Sequence, residues 1–423
     1  MKLIVRRSKL AGKIAVPGSK SHTIRAIVAA LQGTGVSIIR APLDSEDTRS
    51  VLNAAKAFGA TVIEYPDRWE ISGMGGKLRD PGKVVDMGNS GTGLRMLTAL
   101  AALQNFPITF DGDASLRTRI MSGLFDALAP LGVKTDSANG HCPFTICGPV
   151  KGGKTSVEGK TSQYLTSLLF ALPAAGKDSE ISLEYLFEQP YVNISAKWLD
   201  SLGINYCGSE DMLHWQIPGN QKFPAFDKVI PADFSTACFP LFAAMLAGGD
   251  VEIRNLDFSD AQGDKKVFDF ALEMGAQIER TSTVTTVCGG APLRAVTLDL
   301  NATPDALPVI AAAAALIPGE TRLINVAQAR LKETDRITAM AQELAKMQVK
   351  VTELPDGMII YGTTPRAAVV DSHKDHRLGM ALAILALSVD GETVIENAEA
   401  IAVTYPDFIA DFRKLGADFT IAD

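Results

Sequence analysis

Charged side chains of both signs are concentrated near two predicted helix starts in the last third of this chain. Glu333 lies between Lys332 and Arg336, and Asp305 stands just ahead of an alanine-rich run that predicts a buried helix. A carboxyl group at a helix start beside a buried face suits acid–base catalysis, because such surroundings can shift its pKa. A solvated helix start would explain the charges at 330–336 alone, but it would not explain Asp305. Asp305 and Glu333 are therefore candidate proton-transfer groups.

Three further segments place cations, hydroxyls and glycines where helices should begin. Lys20, Ser21 and Arg25 surround one predicted helix start, Gly88–Arg95 opens a second, and Lys374–Arg377 precedes a third. Helix N-termini carry about half a positive charge and N–H groups without intrahelical partners, so they attract anions. Taken singly, each segment could also be a capped helix start with solvated charges. Together they indicate an anion-binding site.

The helix starts recur because the chain contains six copies of one unit. Each copy has an amphipathic helical stretch, then a marker residue that is usually glycine, then a strand, and successive markers lie 68 to 73 residues apart. The pattern predicts a β-α-β-α-β-β unit with an apolar, buried first helix and a more charged, solvent-facing second helix. The markers are Gly59, Gly132, Gly203, Gly275, Gln348 and Gly416.

A unit of this kind cannot bury its first helix alone. The copies must therefore pack around shared axes, which predicts an α/β fold of closed clusters rather than an open rod. Six polar helix N-termini directed at one place would form an anion trap.

Composition excludes several classes of protein. The 423 residues suggest two or three domains, and 47% hydrophobic with 21% charged residues is typical of soluble globular proteins. A net charge of −7 disfavours nucleic acid as a partner. Five cysteines without C-x-x-C spacing favour free thiols in a reducing compartment and argue against a zinc site. The longest apolar stretch, 306–318, is too short to span a bilayer, and the N-terminus does not resemble a signal peptide. We expect a cytoplasmic protein with no metal and no membrane or nucleic-acid partner.

Gly148–Thr155 fits the P-loop pattern G-x-x-x-x-G-K-[ST]. A P-loop runs directly from a buried strand into a helix that holds the phosphates. Here the following residues, 156–159, predict a strand edge, and the next helix should begin only near Ser162. We therefore reject nucleotide hydrolysis.

Several motifs in one order resemble the 5-enolpyruvylshikimate-3-phosphate (EPSP) synthase family over essentially the whole chain. They are PGSKS with an arginine four residues after its last serine, GNSGTGLR, TSQY, PDA, LKETDR and DHR. The resemblance implies a transferase that moves the enolpyruvyl group of phosphoenolpyruvate to the 5-hydroxyl of shikimate 3-phosphate and releases phosphate. It also implies a role in chorismate and aromatic amino-acid biosynthesis, sensitivity of the family to glyphosate, and no cofactor.

The resemblance further implies two domains of three units each, with the active site in the cleft between them. One domain would comprise residues 1–16 and 230–423, and the other residues 17–229. We expect a monomer.

By resemblance, Asp305 and Glu333 transfer protons, and the other site residues bind the two anionic substrates. Six residues of this second set are lysines or arginines, because two phosphates and two carboxylates must be held, and arginine binds such groups bidentately. The implied substrate contacts are Lys20, Ser21, Arg25, Asn89, Gly91, Arg119, Thr161, Ser162, Gln163, Tyr191, Gln328, Lys332, Arg336 and Arg377.

Three positions depart from the family pattern. Glu188 falls where a substrate-contacting serine is usual, and Gln328 where asparagine or another polar residue occurs. Val403 replaces a lysine that often contacts phosphoenolpyruvate, so we expect weaker binding of that substrate unless another cation, such as Lys374, substitutes for it.

Two alternatives remain open at the level of sequence. The enolpyruvyl transferases that act on UDP-N-acetylglucosamine share the fold, but they carry a cysteine near the position of Ser115–Arg119 and an Ala-Lys-Asn motif. This chain has neither, since it reads Ser-Lys-Ser at 19–21. A non-catalytic anion-binding repeat protein would not need Asp305 and Glu333.

Overall fold

The computed structural model describes residues 1–281 and 284–422. The chain forms two compact units, and each has its own core. Unit 1 comprises Met1–Pro17 and Pro231–Asp423, and unit 2 comprises Gly18–Ile230. Within the described ranges, no helix combines the length and hydrophobicity that a bilayer crossing requires.

Each unit contains three pairs of helices, as the repeat predicts. The first helix of a pair is almost wholly buried: all eight residues of Leu307–Ala314 are buried. The second is amphipathic, and Arg336–Lys346 buries Ile337 and Leu344 while exposing Gln342. The helices are α1 (Lys20–Gln32), α2 (Glu46–Ala57), α3 (Gly91–Ala101), α4 (Ser122–Leu128), α5 (Ser162–Ala171), α6 (Gln189–Ser201), α7 (Phe234–Ala247), α8 (Val267–Glu273), α9 (Leu307–Ala314), α10 (Arg336–Lys346), α11 (His376–Ala386) and α12 (Phe408–Lys414).

The strands of the described residues form six four-stranded mixed sheets, one for each helix pair. The strands are β1 (Lys2–Arg6), β2 (Gly12–Ala15), β3 (Val36–Arg40), β4 (Thr61–Glu64), β5 (Arg68–Ser72), β6 (Val85–Asp86), β7 (Ile108–Asp111), β8 (Lys134–Ser137), β9 (Phe144–Cys147), β10 (Gly153–Ser156), β11 (Ser179–Ser182), β12 (Cys207–Gly208), β13 (His214–Ile217), β14 (Asp227–Val229), β15 (Val251–Arg254), β16 (Gln277–Arg280), β17 (Val284–Cys288), β18 (Thr297–Asp299), β19 (Gly319–Ile324), β20 (Lys350–Leu354), β21 (Gly357–Gly362), β22 (Val369–Asp371), β23 (Glu392–Glu396) and β24 (Asp418–Ala422).

Three of the six sheets are continuous in sequence and follow the predicted β-α-β-α-β-β order. Their strand orders are β6-β7-β9-β8, β10-β11-β13-β12 and β18-β19-β21-β20, each a parallel pair extended by an antiparallel hairpin. The other three sheets each take one strand from a distant part of the chain. β14 pairs with β3, β2 pairs with β15, and β1 lies between β23 and β24. The predicted α/β architecture of six repeated units is confirmed, with exchanged strands that the repeat itself does not reveal.

The six marker residues of the repeats share one backbone conformation, which explains why they recur. All six marker residues follow the second helix of their unit, and their φ angles lie between +64° and +105°. This left-handed conformation ends a helix and turns the chain into the next strand, and glycine adopts it without steric cost. Gln348, with φ +64°, is the exception and carries the strain that a side chain brings to this region.

Candidate active site

Arg336 is the centre of a buried ion-pair cluster in unit 1. Arg336 is the first residue of α10, and its side chain is 1% exposed. Its Nε donates to Asp375 Oδ2 at 2.8 Å. Its Nη1 donates to Asp305 Oδ1 at 2.9 Å, and its Nη2 donates to Glu333 Oε2 at 2.6 Å. Asp305 lies in a 3-10 turn, Pro304–Ala306, immediately before α9. The predicted proton-transfer residues are therefore bridged by one guanidinium.

Two further cations contact the same aspartate. Arg377 Nη2 lies 3.0 Å from Asp305 Oδ2, and Lys332 Nζ lies 3.6 Å from Asp305 Oδ1. Arg377, in the first turn of α11, also donates to Ser235 Oγ at 2.9 Å. Among the described contacts, the cluster thus combines three carboxylates with three cations.

The surrounding charges determine the protonation of this cluster. Burial alone would raise the pKa of Asp305, but the charges of Arg377, Lys332 and Arg336 outweigh it and hold the pKa well below its usual value. Burial likewise would lower the pKa of Arg336, whereas Asp375, Glu333 and Asp305 raise it. Asp305 is consequently ionised and a weak base. An anion that neutralised the adjacent cations would make it a stronger base.

Arg25 is the corresponding buried cation of unit 2, in α1. Its guanidinium donates to Ser195 Oγ at 3.0 Å and to the carbonyl oxygens of Ser21 and Tyr191 at 2.9 and 3.0 Å, with a longer contact to Thr166 Oγ1 at 3.5 Å. All of its hydrogen-bond acceptors in the described residues are neutral oxygens. Burial lowers its pKa to about 10, so the side chain keeps its charge at neutral pH. A buried positive charge without a carboxylate partner favours an anionic ligand.

The helix α5 begins with the predicted trio Thr161, Ser162 and Gln163. Thr161 is the N-cap, and its hydroxyl accepts from the Gln163 N–H at 3.3 Å. Gln163 Oε1 accepts from Arg95 Nη1 at 2.6 Å. Ser162 donates both its N–H and its hydroxyl to Glu188 Oε2, at 3.3 and 2.9 Å. A carboxylate of the chain itself therefore contacts Ser162, one of the implied substrate contacts.

The glycine-rich turn before α3 brings two guanidinium groups together. Arg119 Nη2 donates to Asn89 Oδ1 at 2.6 Å. A Cβ atom at Gly91 would lie 2.7 Å from Arg119 Nη1 and 3.1 Å from Arg95 Nη1, so a larger residue would displace the end of the Arg119 side chain. The cations consequently lie against the N-terminus of α3, and this arrangement accounts for the glycine.

Lys20 is the remaining predicted cation of unit 2. Its Nζ lies 3.0 Å from Asp47 Oδ2, and the aspartate is 5% exposed. The N-cap of α1 is Ser19, whose hydroxyl accepts from the His22 N–H. Ser21 is one residue inside the helix, where its carbonyl oxygen contacts Arg25 instead.

Some predicted positions lie apart from these contacts. Gln328 Nε2 donates to the Asn301 carbonyl oxygen at 3.0 Å. Lys374 is exposed and has a φ of +58°. Val403 ends a 3-10 helix, Ala398–Val403. Among the residues that the structure describes, no hydrogen bond or ion pair joins Lys374 or Val403 to the Arg336 cluster.

Several residues that hold the predicted cations were not expected from the sequence. Asp375 and Arg95 belong to the DHR and GNSGTGLR motifs, so their positions in those motifs could have identified them. Asp47, Ser195 and Ser235 lie within or at the start of helices far along the chain from the cations they contact, and no local pattern indicates them.

The P-loop-like segment has no helix to hold phosphate. Gly153–Ser156 forms β10, and the next helix, α5, begins at Ser162. The rejection of a nucleotide-hydrolysing P-loop is confirmed.

The chain is similar to proteins of one family along nearly its whole length. Residues 4–412 match the family model described as EPSP synthase (3-phosphoshikimate 1-carboxyvinyltransferase). A 3-phosphoshikimate 1-carboxyvinyltransferase of Ruminiclostridium cellulolyticum is 43% identical, over 98% of this chain and 99% of the relative. One of the same name from Methanosarcina acetivorans is 39% identical, over 98% of both chains.

Solved structures share the fold at lower sequence identity. The EPSP synthase of Acinetobacter baumannii superposes with a TM-score of 0.83 at 24% identity, and covers 99% of this chain and 100% of that one. The enolpyruvyl transferase NikO of Streptomyces tendae superposes with a TM-score of 0.81 at 18% identity, over 99% of this chain and 98% of that one. These likenesses confirm the predicted type of fold.

Proposed function

Because the chain belongs to the EPSP synthase family, we propose that it transfers the enolpyruvyl group of phosphoenolpyruvate to the 5-hydroxyl of shikimate 3-phosphate. Inorganic phosphate is the second product. The observation that carries the proposal is Asp305, which is half-buried, is contacted by Arg336, Arg377 and Lys332, and shares the Arg336 guanidinium with Glu333. A non-catalytic anion-binding protein has no use for two carboxylates among the cations that would bind its ligand, because they repel anions.

The proposed reaction proceeds by addition and elimination. The 5-hydroxyl oxygen bonds to C2 of phosphoenolpyruvate and loses its proton, while C3 gains a proton, which gives a tetrahedral ketal phosphate. The bond from C2 to the phosphate oxygen then breaks, and C3 loses a proton to form the enolpyruvyl ether. Two positioned carboxyl groups, assigned to Asp305 and Glu333, serve these proton transfers.

The low pKa of Asp305 suits a base whose strength depends on substrate. The positive charges of Arg377, Lys332 and Arg336 outweigh the effect of burial, so Asp305 holds a proton poorly. The carboxylate and phosphate of phosphoenolpyruvate would neutralise part of that positive charge and raise the proton affinity of Asp305. Proton transfer then becomes favourable only when substrate is bound.

The remaining predicted residues divide between the two substrates. We assign Ser21, Arg25, Tyr191, Gln328 and Lys332, with the α5 trio, to shikimate 3-phosphate. Phosphoenolpyruvate is assigned to Lys20, Asn89, Gly91, Arg119, Arg336 and Arg377. The buried, uncompensated charge of Arg25 supports the first assignment, and the paired guanidinium groups at Gly91 support the second.

We propose that the enzyme acts in the cytoplasm as a monomer and needs neither metal nor organic cofactor. The five cysteines, all of them free, are compatible with a reducing compartment.

One assay tests the proposed function. Purified protein is incubated with phosphoenolpyruvate, and inorganic phosphate is measured with shikimate 3-phosphate, with UDP-N-acetylglucosamine, or with neither. We expect release only with shikimate 3-phosphate. Release with the UDP-sugar would support the alternative enolpyruvyl transferase, and no release with either acceptor would support the non-catalytic alternative.

A further inference from the structure

Glu188 is a buried carboxylate at a helix start that the proposed reaction does not use. The residue is only 1% exposed, and its backbone has a left-handed conformation, with a φ of +58°. It is the N-cap residue of α6, yet its carboxylate does not cap that helix. The Oε2 atom instead accepts from Ser162, at the start of α5.

The contact with Ser162 occupies donors that an incoming anion would need. The first N–H groups of a helix have no intrahelical acceptor, and together with the helix dipole they favour an anion there. A backbone N–H and a hydroxyl each carry one hydrogen atom. Both hydrogens of Ser162 are directed to Glu188, so neither can serve a phosphate oxygen at the same time.

The charge of the surroundings shows that a second anion is still favoured in this region. Arg25 contacts Thr166 in α5 and the Tyr191 carbonyl oxygen in α6, which are the two helices whose starts Ser162 and Glu188 occupy. The hydrogen-bond acceptors of Arg25 are neutral oxygens, so the carboxylate of Glu188 does not pair with Arg25 directly. The region thus combines an uncompensated guanidinium with a helix start already occupied by a carboxylate.

We propose that Glu188 is a built-in competitor for the phosphate group of shikimate 3-phosphate and sets the discrimination between phosphorylated and unphosphorylated shikimate. This inference rests on the proposed function. When the phosphate binds at the start of α5, the Glu188 side chain releases the Ser162 N–H and hydroxyl and rotates away. The carboxylate keeps the donors oriented in the empty site, and part of the phosphate's binding free energy is lost in displacing it.

Two variants remove the negative charge in different ways. Glu188→Gln keeps an oxygen that can accept from Ser162, whereas Glu188→Ser removes that acceptor as well. Glu184→Gln is the matched control, because Glu184 is exposed on the same loop and its substitution changes the net charge equally. Dissociation constants for shikimate 3-phosphate and for shikimate are measured by calorimetry without phosphoenolpyruvate.

We expect both Glu188 variants to bind shikimate 3-phosphate about tenfold more tightly, which corresponds to about 1.4 kcal/mol, because the phosphate no longer has to displace a carboxylate. Binding of shikimate should change less than twofold, and Glu184→Gln should change neither constant. Unchanged or weaker binding of shikimate 3-phosphate in folded Glu188→Gln would overturn the proposal and make Glu188 a structural cap of α5.

A crystal structure of the unmodified protein with shikimate 3-phosphate tests the inference without any substitution. The distance from Glu188 Oε2 to Ser162 Oγ should increase from 2.9 Å to beyond hydrogen-bonding range. A retained contact in that complex would overturn the inference. Wild-type protein that released no phosphate from phosphoenolpyruvate in the presence of shikimate 3-phosphate would instead contradict the proposed function, so the two failures are distinguishable.

Discussion

Arg336 in unit 1 and Arg25 in unit 2 are buried to nearly the same degree, with 1% and 2% of the residue exposed, but their surroundings differ in kind. Arg336 contacts three carboxylates, whereas the acceptors of Arg25 are hydroxyl and carbonyl oxygens. The pKa of Arg336 is raised despite burial, and burial lowers that of Arg25. Burial alone therefore does not determine how a guanidinium behaves, because the charge of its partners can outweigh desolvation.

This difference separates two tasks. The balanced cluster of unit 1 holds Asp305 ionised among cations, which suits proton transfer. The uncompensated charge of unit 2 provides a site for an anion, which suits binding. Substitutions in unit 1 should therefore affect the rate constant and the stability, and substitutions around Arg25 should affect substrate affinity.

The largest effect is expected for Asp305→Asn, which keeps the shape of the side chain and removes its charge and basicity. We expect kcat for phosphate release to fall about 10³-fold, within the range of positioned acid–base groups. Asp390→Asn, at an exposed aspartate of the same unit that pairs with Arg7, is the control and should leave kcat unchanged. A loss below tenfold would remove Asp305 from the proton transfers.

Stability tests the two environments directly. Asp375→Asn keeps an oxygen that can accept from the Arg377 N–H but removes one of the carboxylates that pair with Arg336. We therefore expect the free energy of unfolding, measured with denaturant, to fall by about 3 kcal/mol. Ser195→Ala removes a neutral acceptor of Arg25 and should cost only about 1 kcal/mol. Equal losses would show that partner charge does not distinguish the two arginines.

Affinity should respond most at Arg25. In Arg25→Lys the charge remains, but the planar group that contacts several oxygens is lost, so KM for shikimate 3-phosphate should rise about 100-fold with kcat nearly unchanged. The matched control is Arg40→Lys, because Arg40 pairs bidentately with Asp227 on the surface of the same unit. A fall in kcat with constant KM would place Arg25 in the chemistry instead of binding.

The smallest effect is expected at Val403 in unit 1, where the family often has a lysine. Val403→Lys should lower KM for phosphoenolpyruvate by about threefold, the size of a single partly exposed charge interaction, and should leave KM for shikimate 3-phosphate unchanged. Lys374→Gln in the same background tests whether Lys374 already supplies that charge. An unchanged KM in Val403→Lys would indicate that the site already compensates.

Much of this protein is determined by local sequence. The six repeats, the buried first helices and the motifs at the helix starts follow from patterns within a few residues. The left-handed φ at each marker explains why the pattern is visible as a recurring glycine. The motifs also suffice to identify the family.

Only the tertiary structure decided which groups meet. Arg336 and Asp375 are 39 residues apart in sequence, and Arg25 and Ser195 are 170 apart. The strands β1, β2 and β14 complete sheets whose other strands lie far along the chain. Such pairings depend on the packing of whole helices and sheets, which no local pattern encodes. For the same reason the sequence showed that Glu188 was unusual, and only the fold showed that its carboxylate contacts Ser162.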